Sequence, residues 1–175
     1  MLLDLTRYRQ PQGAFDRTFR PEEVAGEGDA YRILEPAVLT FEIHKDKDRF
    51  RLVGGVRTAL ELGCSRCLEP FRLPIDATFD LRYLPVSGAS SETEREVGDE
   101  DLETSYYRDD QIDLNELIRE QCYLALPMKP LCGEGCRGLC VQCGTNLNTG
   151  ACDCAPVLAD PRLAPLKGLG KTRES

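Results

Sequence analysis

The sequence has no tryptophan and a single histidine, His44. His44 falls on the polar face of a strand, a solvated position. No second histidine is there to build a catalytic triad or a histidine metal site elsewhere. No apolar run approaches the roughly 18 residues that cross a bilayer as a helix. The start, MLLDLTRYRQ, carries Asp4 and no apolar stretch of signal-peptide length, so the expectation is a cytoplasmic protein with no membrane partner. There is no G-x-x-x-x-G-K-[ST] loop and no strand-linked G-x-G-x-x-G, which removes the common nucleotide folds. No small-molecule substrate site or active site can be assembled from the residues. Basic residues are outnumbered, 22 Lys and Arg against 30 Asp and Glu, for a net charge of −8. That balance argues against strong nonspecific RNA affinity, because phosphate contacts need cations.

What the sequence does have is cysteine. Its 175 residues suffice for one domain, or one domain with a small appendage, and such a chain needs no covalent staples to fold. Yet it carries 9 cysteines. In a reducing compartment these read as metal thiolates rather than disulfides.

The first half reads as strands. Apolar and polar residues alternate through Leu39–His44, through Phe50 to Leu62, and most clearly along Phe71, Leu73, Ile75, Ala77, Phe79, Leu81 and Tyr83. The pair Gly54-Gly55 predicts a bulge or sharp bend. Leu2, Leu3 and Leu5 fit a short strand, and Pro21 to Asp29 a turn. From 86 to 105 the pattern fails: seven acids against Arg95 make a solvated loop of net −6. Asp113 caps a helix over 113–126, with Glu116 completing a relaxed capping box. Its stripe is Leu114, Leu117, Ile118 and Ala125, widened by Cys122 and Leu124; Pro127 and Pro130 stop it. Cys122, among leucines, reads as a buried structural thiol.

The expected fold is α+β. A mostly antiparallel, β-rich core with one main helix fills 1–128 and includes the acidic loop. A cysteine-rich zinc arm follows over 129–160, then a basic flexible tail over 161–175.

Eight cysteines remain. Cys140-Val-Gln-Cys143-Gly is a knuckle whose two thiolates face one ion while the glycine keeps the turn narrow. Asn146 to Gly150 makes a polar turn that brings Cys152-x-Cys154 back to it. Cys64-Ser-Arg-Cys67 ends a strand and leads into another strand. A redox pair would need a helix opening at its first cysteine, so half a metal site is the better reading. Cys132-x₃-Cys136 is the unclaimed half. The simplest partition is Cys64, Cys67, Cys132 and Cys136 for one ion and Cys140, Cys143, Cys152 and Cys154 for another. The rival is one ion held by Cys136, Cys140, Cys143 and Cys154. Four thiolates with no open position make a structural site, not a catalytic one. Two such zinc sites would take the net charge to about −12.

Several stretches taken together resemble a known family. They are Cys64-Ser-Arg-Cys67-Leu-Glu-Pro-Phe, Gln111-Ile-Asp-Leu-Asn-Glu-Leu-Ile-Arg-Glu, Leu124-Ala-Leu-Pro-Met-Lys-Pro-Leu-Cys132, Cys136-Arg-Gly-Leu-Cys140-Val-Gln-Cys143-Gly-Thr-Asn-Leu-Asn148, Cys152-Asp-Cys154, and Asp160-Pro-Arg-Leu-Ala-Pro-Leu-Lys167. From about residue 30 to 170 the chain is similar to the YceD family, the large ribosomal RNA subunit accumulation proteins of bacteria and plastids. Many of its members keep the first C-x-x-C and lose the distal cysteines, which fits two separable sites. A proline is frequent there where Val141 stands. The resemblance implies a role in 23S ribosomal RNA accumulation and large-subunit maturation, and it implies no catalytic residues.

The leading expectation is therefore a non-enzymatic ribosome biogenesis factor with structural zinc. Its partner would be 23S ribosomal RNA or its precursor, a ribosomal protein, or an assembly factor. Lys129, Arg162, Lys167, Lys171 and Arg173 are the candidate contacts; residues 161–175 carry net +3. The alternatives are a thiol oxidoreductase using Cys64 and Cys67, and a zinc-bearing regulatory interaction protein.

Overall fold

The computed structural model describes residues 1–8, 11–26, 28–86, 104–154 and 162. The chain divides into two units. The first is Met1–Gly63 with Pro70–Pro130; the second is Cys64–Glu69 with the chain from Leu131 onward.

The first unit holds every regular element described. In chain order these are β1 (Leu2–Asp4), a 3-10 turn (Leu5–Arg7), β2 (Gln12–Phe19), α1 (Pro21–Val24), β3 (Arg32–Ile33), β4 (Ala37–Asp46), β5 (Arg49–Gly63), β6 (Pro70–Pro85), β7 (Thr104–Tyr107), β8 (Gln111–Asp113) and α2 (Leu114–Ala125). Six strands form one sheet in the order β2-β4-β5-β6-β7, with β3 also on β5; β1 and β8 form a separate pair. All pairings are antiparallel except β6 with β7, which is parallel.

The alternating residues face one core. Cross-strand rows such as Leu39–Val56–Ala77 and Ile43–Leu52–Leu81 lie on the same side of the sheet. Leu114, Leu117, Ile118 and Cys122 of α2 complete that core and are at most 1% exposed. Asp113 caps α2 by accepting from the Asn115 N–H at 2.9 Å. The reciprocal glutamate bond of a capping box is found at α1 instead, where Glu23 receives the Arg20 N–H at 2.7 Å. The Pro21–Asp29 stretch thus begins with one helical turn. Leu124 does not widen the stripe; it is 79% exposed.

Gly54-Gly55 makes no bulge. The ladder runs through both residues, pairing Phe41 with Gly54 and Gly54 with Phe79. The reason for glycine is close approach: a Cβ at Gly54 would stand 2.0 Å from the Thr40 carbonyl oxygen and 2.5 Å from Phe41 Cα. The Phe41 and Phe79 rings, with centroids 6.5 Å apart, flank the position.

Asp109 and Asp110 are a turn, as their residue types suggest. Both take positive φ, 51° and 53°, and Gln111 N–H closes the turn on the Arg108 carbonyl at 3.0 Å. Val86 is described and exposed, and Thr104 and Ser105 belong to β7. The rest of the acidic loop, 87–103, lies outside the described residues.

Candidate metal centres

Both centres are built within the second unit. The connection from β5 to β6 is the first knuckle, Cys64–Glu69. Leu68 N–H bonds the Cys64 carbonyl at 2.9 Å, and Cys64 N–H bonds the Glu69 carbonyl at 2.9 Å. The second knuckle repeats this backbone. Gly144 N–H bonds the Cys140 carbonyl at 2.9 Å, and Cys140 N–H bonds the Thr145 carbonyl at 2.8 Å. The residue after the second cysteine is left-handed in both, Leu68 at φ 62° and Gly144 at φ 74°. That conformation turns the chain so that successive amides can face a sulfur.

The sulfurs fall into two groups of four. Those of Cys64, Cys67, Cys132 and Cys136 lie within 4.8 Å of one another, and so do those of Cys140, Cys143, Cys152 and Cys154. Cys64 and Cys136 are 3.7 Å apart, as are Cys67 and Cys132. A tetrahedral site with bonds of about 2.3 Å requires about 3.8 Å between sulfurs. A disulfide requires about 2.05 Å, and all nine cysteines are free. Each group can hold one metal ion, and the geometry draws Cys136 to Cys64 rather than to Cys140.

The electrostatics ask for a cation. The Cys132 and Cys67 amides directed at Cys64 hold its thiol down at about 6. Cys132, facing the sulfurs of Cys136, Cys67 and Cys64, is pushed up to about 12. In the other group the Thr145 hydroxyl and amide hold Cys143 at about 6. Cys154, facing Cys143 and Cys140, is pushed up to about 12. Thiolates this close repel, so without a dication neither group ionises fully near neutral pH.

Other side chains support the sulfurs. Arg66 Nη1, from the first knuckle, donates to the carbonyls of Cys136 at 3.0 Å and Glu134 at 3.3 Å, clasping the Cys132–Cys136 loop. Asn148 Nδ2 donates to Cys136 Sγ at 3.4 Å. Thr145 Oγ1 lies 3.2 Å from Cys143 Sγ. None of these is apparent from cysteine spacing. The only sequence signal was the density of Thr and Asn in a stretch that reads as a polar turn.

The remaining candidates are spread out. Cys122 is fully buried in the core, and burial pushes its thiol up to about 11. His44 is partly exposed, with Nε2 3.6 Å from Glu42 Oε2. Lys129 and Arg162 are exposed; Lys167, Lys171 and Arg173 lie outside the described residues. On the first unit, Lys45, Arg49, Arg51, Arg82 and Asp46 are among the described residues that line a cavity of about 500 Å³. Asp80 holds Arg51 through two bonds of 2.7 and 2.5 Å. Among the described residues no helix is long and apolar enough to cross a membrane.

Known proteins share this arrangement of sequence. The chain is 33% identical over 159 residues to the large ribosomal RNA subunit accumulation protein YCED homolog 1, chloroplastic, of Zea mays, covering 78% of this chain and 54% of that one. With its Arabidopsis thaliana counterpart it is 30% identical over 155 residues, 77% of this chain and 48% of the other. An uncharacterized protein of Mycobacterium tuberculosis is 35% identical over 97 residues, 55% and 44% of the two chains. The chain spans about half the length of the curated relatives it matches. No solved structure matches it. The family model described as large ribosomal RNA subunit accumulation protein YceD matches residues 52–170, from near the start of β5 through both cysteine groups. The chain belongs to the YceD family.

Proposed function

We propose that the protein is a non-enzymatic ribosome-assembly factor that supports accumulation of 23S ribosomal RNA, with two structural zinc ions held by its cysteine tetrads. The observation that carries this reading is the family match over 52–170, which takes in both tetrads. The relatives' names tie them to accumulation of the large ribosomal RNA subunit. In this reading the protein acts where that subunit is assembled, in the cytoplasm.

The donor set supports zinc. Four thiolates at tetrahedral spacing leave no position for water or substrate, the mark of a structural site. The same closure argues against a thiol oxidoreductase. Cys64 is fully buried, and with Cys67 it stands against two further thiols rather than exposed at a helix start.

Depletion tests the reading. The ratio of 23S to 16S ribosomal RNA should fall severalfold, and the intact gene should restore it. Purified protein should carry two zinc ions per chain by mass spectrometry, and Cys152→Ser should leave one. An unchanged rRNA ratio would overturn the assembly role, and a metal-free chain the zinc sites.

A further inference from the structure

The two tetrads are joined by a side chain that the proposed function does not use. Asn148 stands in the stretch between Cys143 and Cys152, ligands of the second group, yet its Nδ2 donates to Cys136 Sγ of the first at 3.4 Å. Three bonds fix that amide. Its Oδ1 accepts from Arg137 N–H at 2.7 Å. Its Nδ2 also donates to Asn146 Oδ1 at 2.9 Å, and the same oxygen receives Asn148 N–H at 3.0 Å. The stretch itself is stitched to the chain between the groups. Leu147 N–H bonds the Gly138 carbonyl at 2.9 Å, and Leu139 and Asn146 form a β-bridge. Asn146 Nδ2 reaches Glu69 of the first knuckle at 3.4 Å. Asn148 is exposed, so these bonds, and not burial, hold it in place.

We propose that Asn148 is a positioning residue that couples the two metal centres. Closing the second tetrad around its ion sets residues 144–150, and that sets the Asn148 amide on Cys136. The inference rests on the zinc reading above. A tetrathiolate holding a dication keeps a net charge of about −2, which an N–H···S donor spreads. Donors to metal ligands are typically worth about 10- to 100-fold in metal affinity. The first centre therefore grips its metal more tightly when the second is filled, and by linkage the second does so when the first is filled.

The test follows zinc loss from the full chain under EDTA. Native mass spectrometry counts the ions, and alkylation mapping reports which cysteines open. Asn148→Ala should speed opening of Cys64, Cys67, Cys132 and Cys136 by about tenfold. Asn148→Asp keeps the acceptor for Arg137 N–H, removes the donor and adds a negative charge beside the thiolates, so it should do at least as much. Cys152→Ser/Cys154→Ser, which opens the second site, should speed the first likewise, and adding Asn148→Ala to it should cost nothing further. Two ions bound, with both Asn148 variants opening the first tetrad at the wild-type rate, would overturn the coupling and leave the zinc sites standing. A chain that takes up no metal would overturn both.

Discussion

Gly144 and Leu68 occupy the same place in the two knuckles, and their chemistry differs. A left-handed backbone costs a non-glycine residue about 1–2 kcal/mol, so Leu68 at φ 62° holds strain that Gly144 avoids. Leu68 is 70% exposed and gains little burial in return. Open space surrounds the Cβ position of Gly144, so a side chain there meets no clash and pays only the backbone term. Gly144→Ala should weaken the second centre by about 1 kcal/mol. A chelator titration of that site would check this, and an unshifted midpoint would show the knuckle to be slack. The cysteine spacing made the second knuckle legible because its glycine announced the turn. In the first knuckle a leucine makes the same turn, so nothing in the residue types marked the shared backbone. The outer donors stayed hidden for a related reason. Asn148 and Arg66 act on groups 12 and 70 residues away, and local pattern says nothing about such contacts.

At the scale of elements, the β4–β5–β6 ladder depends on one missing side chain. Gly54→Ala would drive a methyl group into the Thr40 carbonyl and Phe41 Cα, and both obstacles are backbone or near it. We expect a loss of about 3 kcal/mol in urea unfolding. Gly63→Ala, in the same strand with nothing within 4 Å of the added carbon, should stay within about 0.5 kcal/mol. Equal effects would mean that the sheet yields at Gly54. The long strands were legible because each buries one face over many residues, and period two survives. β2 was missed because only half of its inward set is apolar. Gly13 and Arg17 share that face with Phe15 and Phe19, and the Arg17 guanidinium rests over the Phe19 ring at 4.9 Å. β3 and β8, at two and three residues, are too short to show a period at all. The pairing of β7 with β6 was illegible because it joins strands separated by a long acidic stretch.

Taken whole, the molecule has two kinds of interior. The apolar cluster from Leu3 to Cys122 lies entirely in the first unit. In the second unit, the buried side chains among the described residues are the thiols of Cys64, Cys67 and Cys136. An interior of sulfur has little to hold it but metal. Chelation should therefore remove amide-exchange protection from the second unit, while the stability of the first, read from urea unfolding, changes by less than about 0.5 kcal/mol. Loss of the sheet on metal removal would refute this division. The first tetrad also joins distant parts of the chain, since Cys67 and Cys132 are 65 residues apart. Synthesis at about 5–20 residues per second puts roughly 3–13 seconds between them. For that interval each nascent chain presents Cys64 and Cys67 as a bare dithiol, open to oxidants and to stray metal. The first centre is completed only when its other half emerges, so its vulnerability in the cell is set by the pace of translation.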